Sequence, residues 1–373
     1  MRLRRKQQQF IDAAAESGSS PGMLFWRRLR RNWVAMVSLG VIVFFTVVAI
    51  LGYLITPDHT PFCNQQYLEL ASMKPFSTAT FVMVDDAVPT EHCGPLKTMI
   101  KGRPLNAIAV PVYSYHIDGD TMQYETFTGS TPNDGEVVRL HMAQVKEVTT
   151  RRFPFGTDTY GRDVLSQVMI GSRVSLSVGF IAVIIALIIG ILLGSIAAYY
   201  GGWGDNLVMW FINVVWSIPT VLLVIAITFA LGKGFWQVFV AVGLTMWVDV
   251  ARVVRGQVLS IKEKEYVEAA RALGFRTPRI ILRHILPNIT GPVIVITASN
   301  FATAILLEAG LSFLGIGVQP PMPSWGSMVK ENYGQILLDS AYQAFIPGLA
   351  IMFIVLAFML LGNGIRDALD IKK

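Results

Sequence analysis

The sequence predicts an all-α polytopic membrane protein of six transmembrane helices with a small β-rich extracytoplasmic insert. Three observations carry this expectation. Hydrophobic residues make up 53% of the 373 residues and charged residues only 15%, against roughly 25% charged in ordinary soluble domains. The charges are clustered, so several long stretches hold none. One charged, turn-rich stretch separates the first such run from the rest. This balance excludes a disordered chain and, despite the net charge of +6, a soluble nucleic-acid binder. Two cysteines are too few for a disulfide-dense scaffold or a Cys-rich zinc module.

A spanning helix needs about 20 mostly apolar residues. Val34 to Thr56 gives 23 without a charge, Val174 to Tyr200 gives 27, and Asn206 to Gly232 gives 27. Gly234 to Val248 gives only 15 before Asp249 and Arg252, which makes this fourth span the weakest by length. Ile285 to Leu307 gives 23 and Ser340 to Ile365 gives 26. The run from Leu311 to Val329 is also uncharged, yet it contains Pro320, Pro321 and Pro323 together with Gly315, Gly317 and Gly326. Proline removes backbone donors and breaks helices, so this segment is expected to form a partly re-entrant cap on the outer side.

No signal peptide is evident: the first apolar run is too long for one and lacks a small-residue cleavage site. Ahead of it stand Arg2, Arg4, Arg5, Lys6, Arg27, Arg28, Arg30 and Arg31 against Asp12 and Glu16. That excess predicts a cytoplasmic N-terminus, and six spans return the C-terminus to the same side. Residues 251–284 then lie inside and carry eight Lys/Arg, consistent with the same rule. The stretch Gly22 to Trp33 reads as an amphipathic elbow on the anionic inner leaflet of the lipid bilayer. The expected organisation is a tail and elbow over 1–33, a first span over 34–56, an extracytoplasmic insert over 57–170, a five-helix core over 171–365, and a cytoplasmic tail over 366–373.

The insert holds 9 Lys/Arg against 13 Asp/Glu over residues 57–170, unlike the basic inner segments. Strands are expected over Thr80–Val84, Ala107–Tyr115, Met122–Phe127 and Val137–Val148, separated by turns at Asp118-Gly119-Asp120 and Pro132-Asn133-Asp134-Gly135. Both cysteines, Cys63 and Cys93, fall here. Outside the cytoplasm an oxidised pair is permitted, so they form a disulfide candidate, the alternative being two thiols in a packed core. No metal site is expected, because His59, His92, His116 and His141 show no ligand spacing with the cysteines.

The most informative stretch is EYVEAARALGFRTPRIILRHILPN, Glu265 to Asn288. Helix-favouring residues from Ile261 to Leu273 end at Gly274, which accepts positive φ at low cost. Thr277 is expected to cap a second helix with Pro278 at its first position, and Pro287 leads into the fifth span. Small Ala269, Ala270 and Ala272 keep the first helix slim, Glu268 offers an anionic anchor, and Arg271, Arg276, Arg279 and Arg283 offer fork donors. This composition suits docking rather than catalysis. A DNA-reading helix-turn-helix is opposed by the tight tether between two spans, and a merely structural loop is the remaining alternative.

Glu268-Ala269-Ala270, then Gly274 four residues after Ala270, then Leu286-Pro287 resembles the EAA motif of ATP-binding-cassette (ABC) importer permeases; His284 stands where that family usually has isoleucine. FGTDTYGRDVLSQVMIGSRVSLSVG (Phe155 to Gly179), WVDVARVVRGQVL (Trp247 to Leu259), LSFLGIGVQPPMPSWG (Leu311 to Gly326) and GIRDALD (Gly364 to Asp370) resemble segments of the oligopeptide, dipeptide and nickel permeases, nearest their C-type subunit. The resemblance covers nearly everything except about 57–151, since the family's outer loop is usually shorter.

The resemblance implies a type I ABC importer permease fold and a non-catalytic subunit forming half of a peptide pathway. It implies a coupling helix within about 261–287, with Glu268, Ala269, Ala270, Arg271, Gly274 and Pro287 meeting an ATPase. Implied partners are a second homologous permease, two ATP-binding subunits and an extracytoplasmic binding protein. No cofactor is expected on this chain; ATP and Mg belong to the partner ATPase, and no GxxxxGK[ST] loop occurs here. Asn213, Ser217 and Pro219 interrupt the third run and are candidates for a kinked, pathway-lining helix; polar residues satisfied between helices are the alternative. The alternative functions are a nickel or small-solute importer and an ion-coupled carrier. The carrier is opposed by the scarcity of titratable groups in mid-span.

Overall fold

The computed structural model describes residues 21–85, 94–129, 132, 134–232 and 234–369. A basic helix, α1 (Pro21–Arg31), leads through Asn32 into α2 (Trp33–Leu51). Asn32 caps α2 by accepting the Ala35 N–H at 3.2 Å. After the insert and its short helix α3 (Pro95–Lys101) comes α4 (Val164–Tyr200), 37 residues long. It starts well ahead of the apolar run at Val174 because Asp163 Oδ2 accepts the Ser166 N–H at 2.9 Å and fixes the first turn there. Next are α5 (Gly202–Trp216) and α6 (Thr220–Leu231), then α7 (Phe235–Ile261). The remaining helices are α8 (Glu265–Ala272), α9 (Thr277–Ile280), α10 (Leu286–Phe313), α11 (Trp325–Asn332) and α12 (Tyr342–Leu369).

Among the described residues, five helices are long and apolar enough to cross a membrane, or six if α5 and α6 count as one span broken by 93°. The packing supplies the reason to count them together. Gly190 and Gly194 of α4 press on α7 so closely that an added Cβ would lie 2.5 Å from Val250 Cβ and 2.5 Å from the Ala251 carbonyl oxygen. Earlier along both helices, Gly243 of α7 meets Ile185 and Ala182 of α4. Contacts therefore advance together, and the two helices run parallel. Because α4 ends where α7 ends, the chain between them must return to the opposite end, and α5 with α6 makes that return.

The fourth span, the shortest by uncharged length, is a full 27-residue helix and the most buried of the set. Arg252 and Arg255 do not end it because they are partnered within the bundle, and Asp249 on the same helix is exposed. Arg255 holds Asp205 of α5 through two bonds of 2.6 and 2.7 Å, and the Arg252 guanidinium lies 3.7 Å from the Trp216 ring centroid. Both described ends meet at one end of the bundle, where Leu29 and Ala35 pack against Ile365 and Ala368.

The insert sits at the other end. Its sheet has the order β4-β3-β2-β1-β5, all antiparallel, built from β1 (Ser77–Asp85), β2 (Ala107–Asp118), β3 (Thr121–Thr126), β4 (Val137–His141) and β5 (Val145–Phe153). The single strand expected over 137–148 is thus two strands on opposite edges. A turn at Met142–Gln144 breaks the run and sends β5 across to β1. The Pro-rich segment after α10 does not span. It turns back, and α11 seats Trp325 wholly out of solvent, its indole N–H donating to the Val168 carbonyl at 2.9 Å.

Candidate functional site

The EAA stretch lies at the end opposite the sheet. Helix α8 is shorter than the expected 261–273, because α7 runs on to Ile261 and the chain breaks over residues 262–264. Val267 and Ala270 face inward and are buried, whereas Glu268, Ala269 and Arg271 are exposed. Gly274 has φ +75°; the Phe275 N–H bonds to the Ala270 carbonyl at 3.1 Å and the Gly274 N–H to that of Arg271 at 3.0 Å. This pair of bonds is a Schellman cap, which closes the helix and turns the chain. Leu273, just before the glycine, is 74% exposed, an apolar side chain with little to cover it in the isolated subunit.

The second helix differs from its expected form. Arg276, not Thr277, occupies the capping position, and Thr277 is the first helical residue with Pro278 behind it. The helix then passes through a π turn at Ile281–Ile285 straight into α10, so the exposed Pro287 lies inside a continuous rod instead of marking a break. Proline lacks the N–H of an α-helical bond, and its ring crowds the carbonyl four residues back; the wider π turn accommodates both. Phe275 and His284 stack at 6.0 Å and Arg279 lies 4.6 Å over Phe275, which braces the turn against the rod. Arg271 reaches back to the Tyr199 ring at 5.5 Å.

Asn213, Ser217 and Pro219 cluster at the 93° break between α5 and α6, and all three are exposed. Helix α5 stops at Trp216, the Ser217 hydroxyl folds back on the Val214 carbonyl at 2.7 Å, and Pro219 occupies the capping position of α6. The break is far sharper than a proline kink. Its polar groups lie outside the subunit's own core, whereas Ile212, next to Asn213 in sequence, is buried.

At the sheet end, sequence reasoning missed a buried ionic hub. Arg162 donates to Asp158 at 2.6 Å, to Glu331 at 2.6 Å and to Asn64 at 3.1 Å. It thereby joins the insert, the approach to α4 and the cap helix α11. Burial works against its charge, but Asp158 and Glu331 outweigh that and hold it firmly protonated. Glu308 of α10, wholly buried, accepts from Ser175 at 3.1 Å and Ser312 at 2.7 Å. Arg173 donates to the carbonyls of Ala49, Ile50, Met99 and Ile100, closing the C-terminal ends of α2 and α3 with one guanidinium. The only signal for these was a set of charges inside otherwise buried motifs. Cys63 is a buried thiol donating to the Asp58 carbonyl at 3.1 Å, and burial with nearby Asp58 and Asp163 pushes it far up. Cys93, and with it the disulfide expectation, lies outside the described residues. No group of three or more metal-ligating side chains occurs among the described residues.

Two family profiles match the chain. Residues 190–372 match the binding-protein-dependent transport system inner membrane component, and residues 20–75 match the N-terminal transmembrane domain of oligopeptide transport permease C. A dipeptide transport system permease protein of Alkalihalophilus pseudofirmus is 44% identical over 218 residues, 58% of this chain and 71% of that protein. A glutathione transport system permease protein of Pectobacterium atrosepticum is 42% identical over 217 residues, 58% of this chain and 72% of that protein. An oligopeptide transport system permease protein of Bacillus subtilis is 39% identical over 218 residues, 58% of this chain and 71% of that protein. The matched parts contain the EAA stretch, the last turns of α4 with Gly190 and Gly194, the whole of α7 and the basic entry to α2. The chain therefore belongs to the binding-protein-dependent transport system inner membrane components, as a multi-pass permease subunit of an ABC importer.

Proposed function

We propose that this subunit forms half of an inner-membrane pathway for di- and oligopeptides, the other half being a second homologous permease. In this reading two ATP-binding subunits supply the energy and an extracytoplasmic binding protein delivers the cargo. The termini and the α8–α9 turn face the cytoplasm, and the sheet faces outward. The basic residues of α1 and of 251–284 support that orientation. Relatives named for dipeptides, oligopeptides and glutathione support peptides over nickel.

The observation that carries the proposal is the geometry of α8: a short helix anchored by Val267 and Ala270, closed by a Schellman cap, and presenting Glu268, Ala269, Arg271 and Leu273 outward. Such an element fits a groove on an ATP-binding subunit, and closure of the ATPase pair would move it as a unit. Because the π turn makes α9 continuous with α10, a push on this turn reaches the span directly. The exposed Asn213, Ser217 and Pro219 then face the shared pathway. Reconstituted importer, with and without this subunit, tests the reading through ATP-driven uptake of labelled dialanine. Uptake dependent on the subunit, on ATP and on the binding protein is expected; uptake driven by an ion gradient without ATP would overturn it.

A further inference from the structure

We infer that the cleft between the root of the insert and the first turn of α4 binds the free termini of a short peptide, its ammonium at Asp58 and Asp163 and its carboxylate at Arg151. This rests on the reading that peptides are the cargo. It adds a station on the permease itself, before the membrane-spanning helices.

Three adjoining cavities of about 640, 550 and 190 Å³ open around the root of the insert and share Thr60, Tyr67 and Arg151 between them. Two of these have the volume of small-molecule sites. The smallest is lined by Asp58 and Asp163 together with Arg151 and Arg152. Asp58 and Asp163 are 8% and 6% exposed. They are held rigidly: the Asp58 N–H donates to Ser166 Oγ at 2.9 Å, Asp58 Oδ1 accepts the Thr60 N–H at 2.8 Å, and Asp163 Oδ2 takes both the N–H and the hydroxyl of Ser166.

Two features point to a ligand. First, Asp163 Oδ1 and Thr60 Oγ1 are buried with no hydrogen-bond partner, a cost of roughly 1–3 kcal/mol for each such group. Second, neither carboxylate is in an ion pair among the described residues, although guanidinium groups line the same cavity. Arg151 instead rests on the Phe81 ring at 4.9 Å. Burial, with Asp58 adding to it, pushes the Asp163 carboxyl up, a strain that an incoming ammonium relieves. Acid and base lining one cavity match the two charged ends of one zwitterion, each end gaining a charge-assisted bond. The larger cavities, lined by Gln65, Gln66, Asn106 and Leu105, leave room for the side chains. Asp163 also caps α4, so the cleft lies where the insert meets the bundle.

Calorimetric titration of the assembled importer in nanodiscs, without the binding protein, tests the site with three probes: dialanine, N-acetyl-dialanine and dialanine amide. Saturable binding of dialanine is expected, weakened tenfold or more by blocking either end. Arg151→Gln, a half-exposed position whose loss leaves the α4 cap intact, should weaken dialanine tenfold or more and leave it no tighter than the amide. Absence of saturable binding, equal binding of free and blocked probes, or wild-type affinity in a folded Arg151→Gln importer would each overturn the site. Uptake of dialanine measured in parallel separates the two readings. Uptake without binding at the cleft overturns the site alone, whereas absence of uptake overturns the peptide reading beneath it.

Discussion

Gly274 tests whether the geometry of the α8 turn, rather than a side chain, sets coupling. Its φ is +75°, and no heavy atom lies within 4 Å of where a Cβ would stand. Substitution there meets no steric wall within the subunit, so the cost is that of the left-handed backbone alone. For an ordinary L-residue this is roughly 1–2 kcal/mol, more for a β-branched one, and distinctly less for asparagine, which visits that region more readily. A penalty of roughly 1–2 kcal/mol shifts the Schellman-capped population by a factor of roughly 5 to 30. The account therefore predicts the order Gly, Asn, Ala, Val for peptide-stimulated ATPase activity in the reconstituted importer, with membrane insertion equal throughout. Asparagine is bulkier than alanine, so the series separates backbone conformation from size. If alanine outperforms asparagine, or valine matches glycine, the turn geometry is not what couples and the reasoning fails.

Three further outcomes follow from the packing. Arg162→Ala leaves Asp158 buried without its cation and should lower stability by about 3–5 kcal/mol, read as a fall in the thermal midpoint of the detergent-purified subunit; an unchanged midpoint would remove the hub from the account. Gly194→Leu forces a side chain into the Ala251 backbone and should cost at least the roughly 1–3 kcal/mol of overpacking, so wild-type yield and melting would contradict the close α4–α7 contact. Replacing residues 62–149 by a short flexible linker should weaken binding-protein affinity at low salt, because the insert is net acidic and such a surface steers association; unchanged affinity and uptake would show the insert to be a passive lid.

The spans and the turn were legible because their signals are local. Uncharged length marks a crossing, and Gly274 with Pro278 brackets a helix stop and start. What the sequence hid was pairwise. The fourth span looked short because Asp249 and Arg252 end its uncharged run, yet Arg255 is matched by Asp205 on a helix 50 positions away, and Arg252 by Trp216. Apolar run length does not see such partners. The split of β4 from β5 was hidden for a related reason: the turn at Met142–Gln144 contains neither glycine nor proline, so no turn residue marks the break between the strands. Pro287 misled in the opposite direction, since a proline is a helix end by default and the π turn before it removes the conflict. Glycines at 190 and 194 were readable as a close-contact pair, but not the helix they would meet, nor that it runs parallel.

For the candidate site the division is similar. The exposed face of α8 follows in part from its residue order, with Glu268, Ala269 and Arg271 outward and Val267 inward, whereas Ala270, expected at the ATPase face, is buried beside Val267. The hub at Arg162 joins segments up to 169 positions apart, and no spacing rule reaches that far. The cleft around Asp58, Asp163 and Arg151 likewise draws its walls from the end of the first span, the last strand of the insert and the cap of α4.

The central claim is that α8 docks on an ATP-binding subunit, and photocrosslinking tests it most directly. Leu273, exposed at the tip of the helix, is replaced by benzoylphenylalanine in the assembled importer, which is irradiated in native membranes. Covalent products are then identified by mass spectrometry. The account predicts one dominant adduct, to an ATP-binding subunit, that changes in yield when ATP is bound. An adduct to the extracytoplasmic binding protein, or to lipid alone, would contradict it.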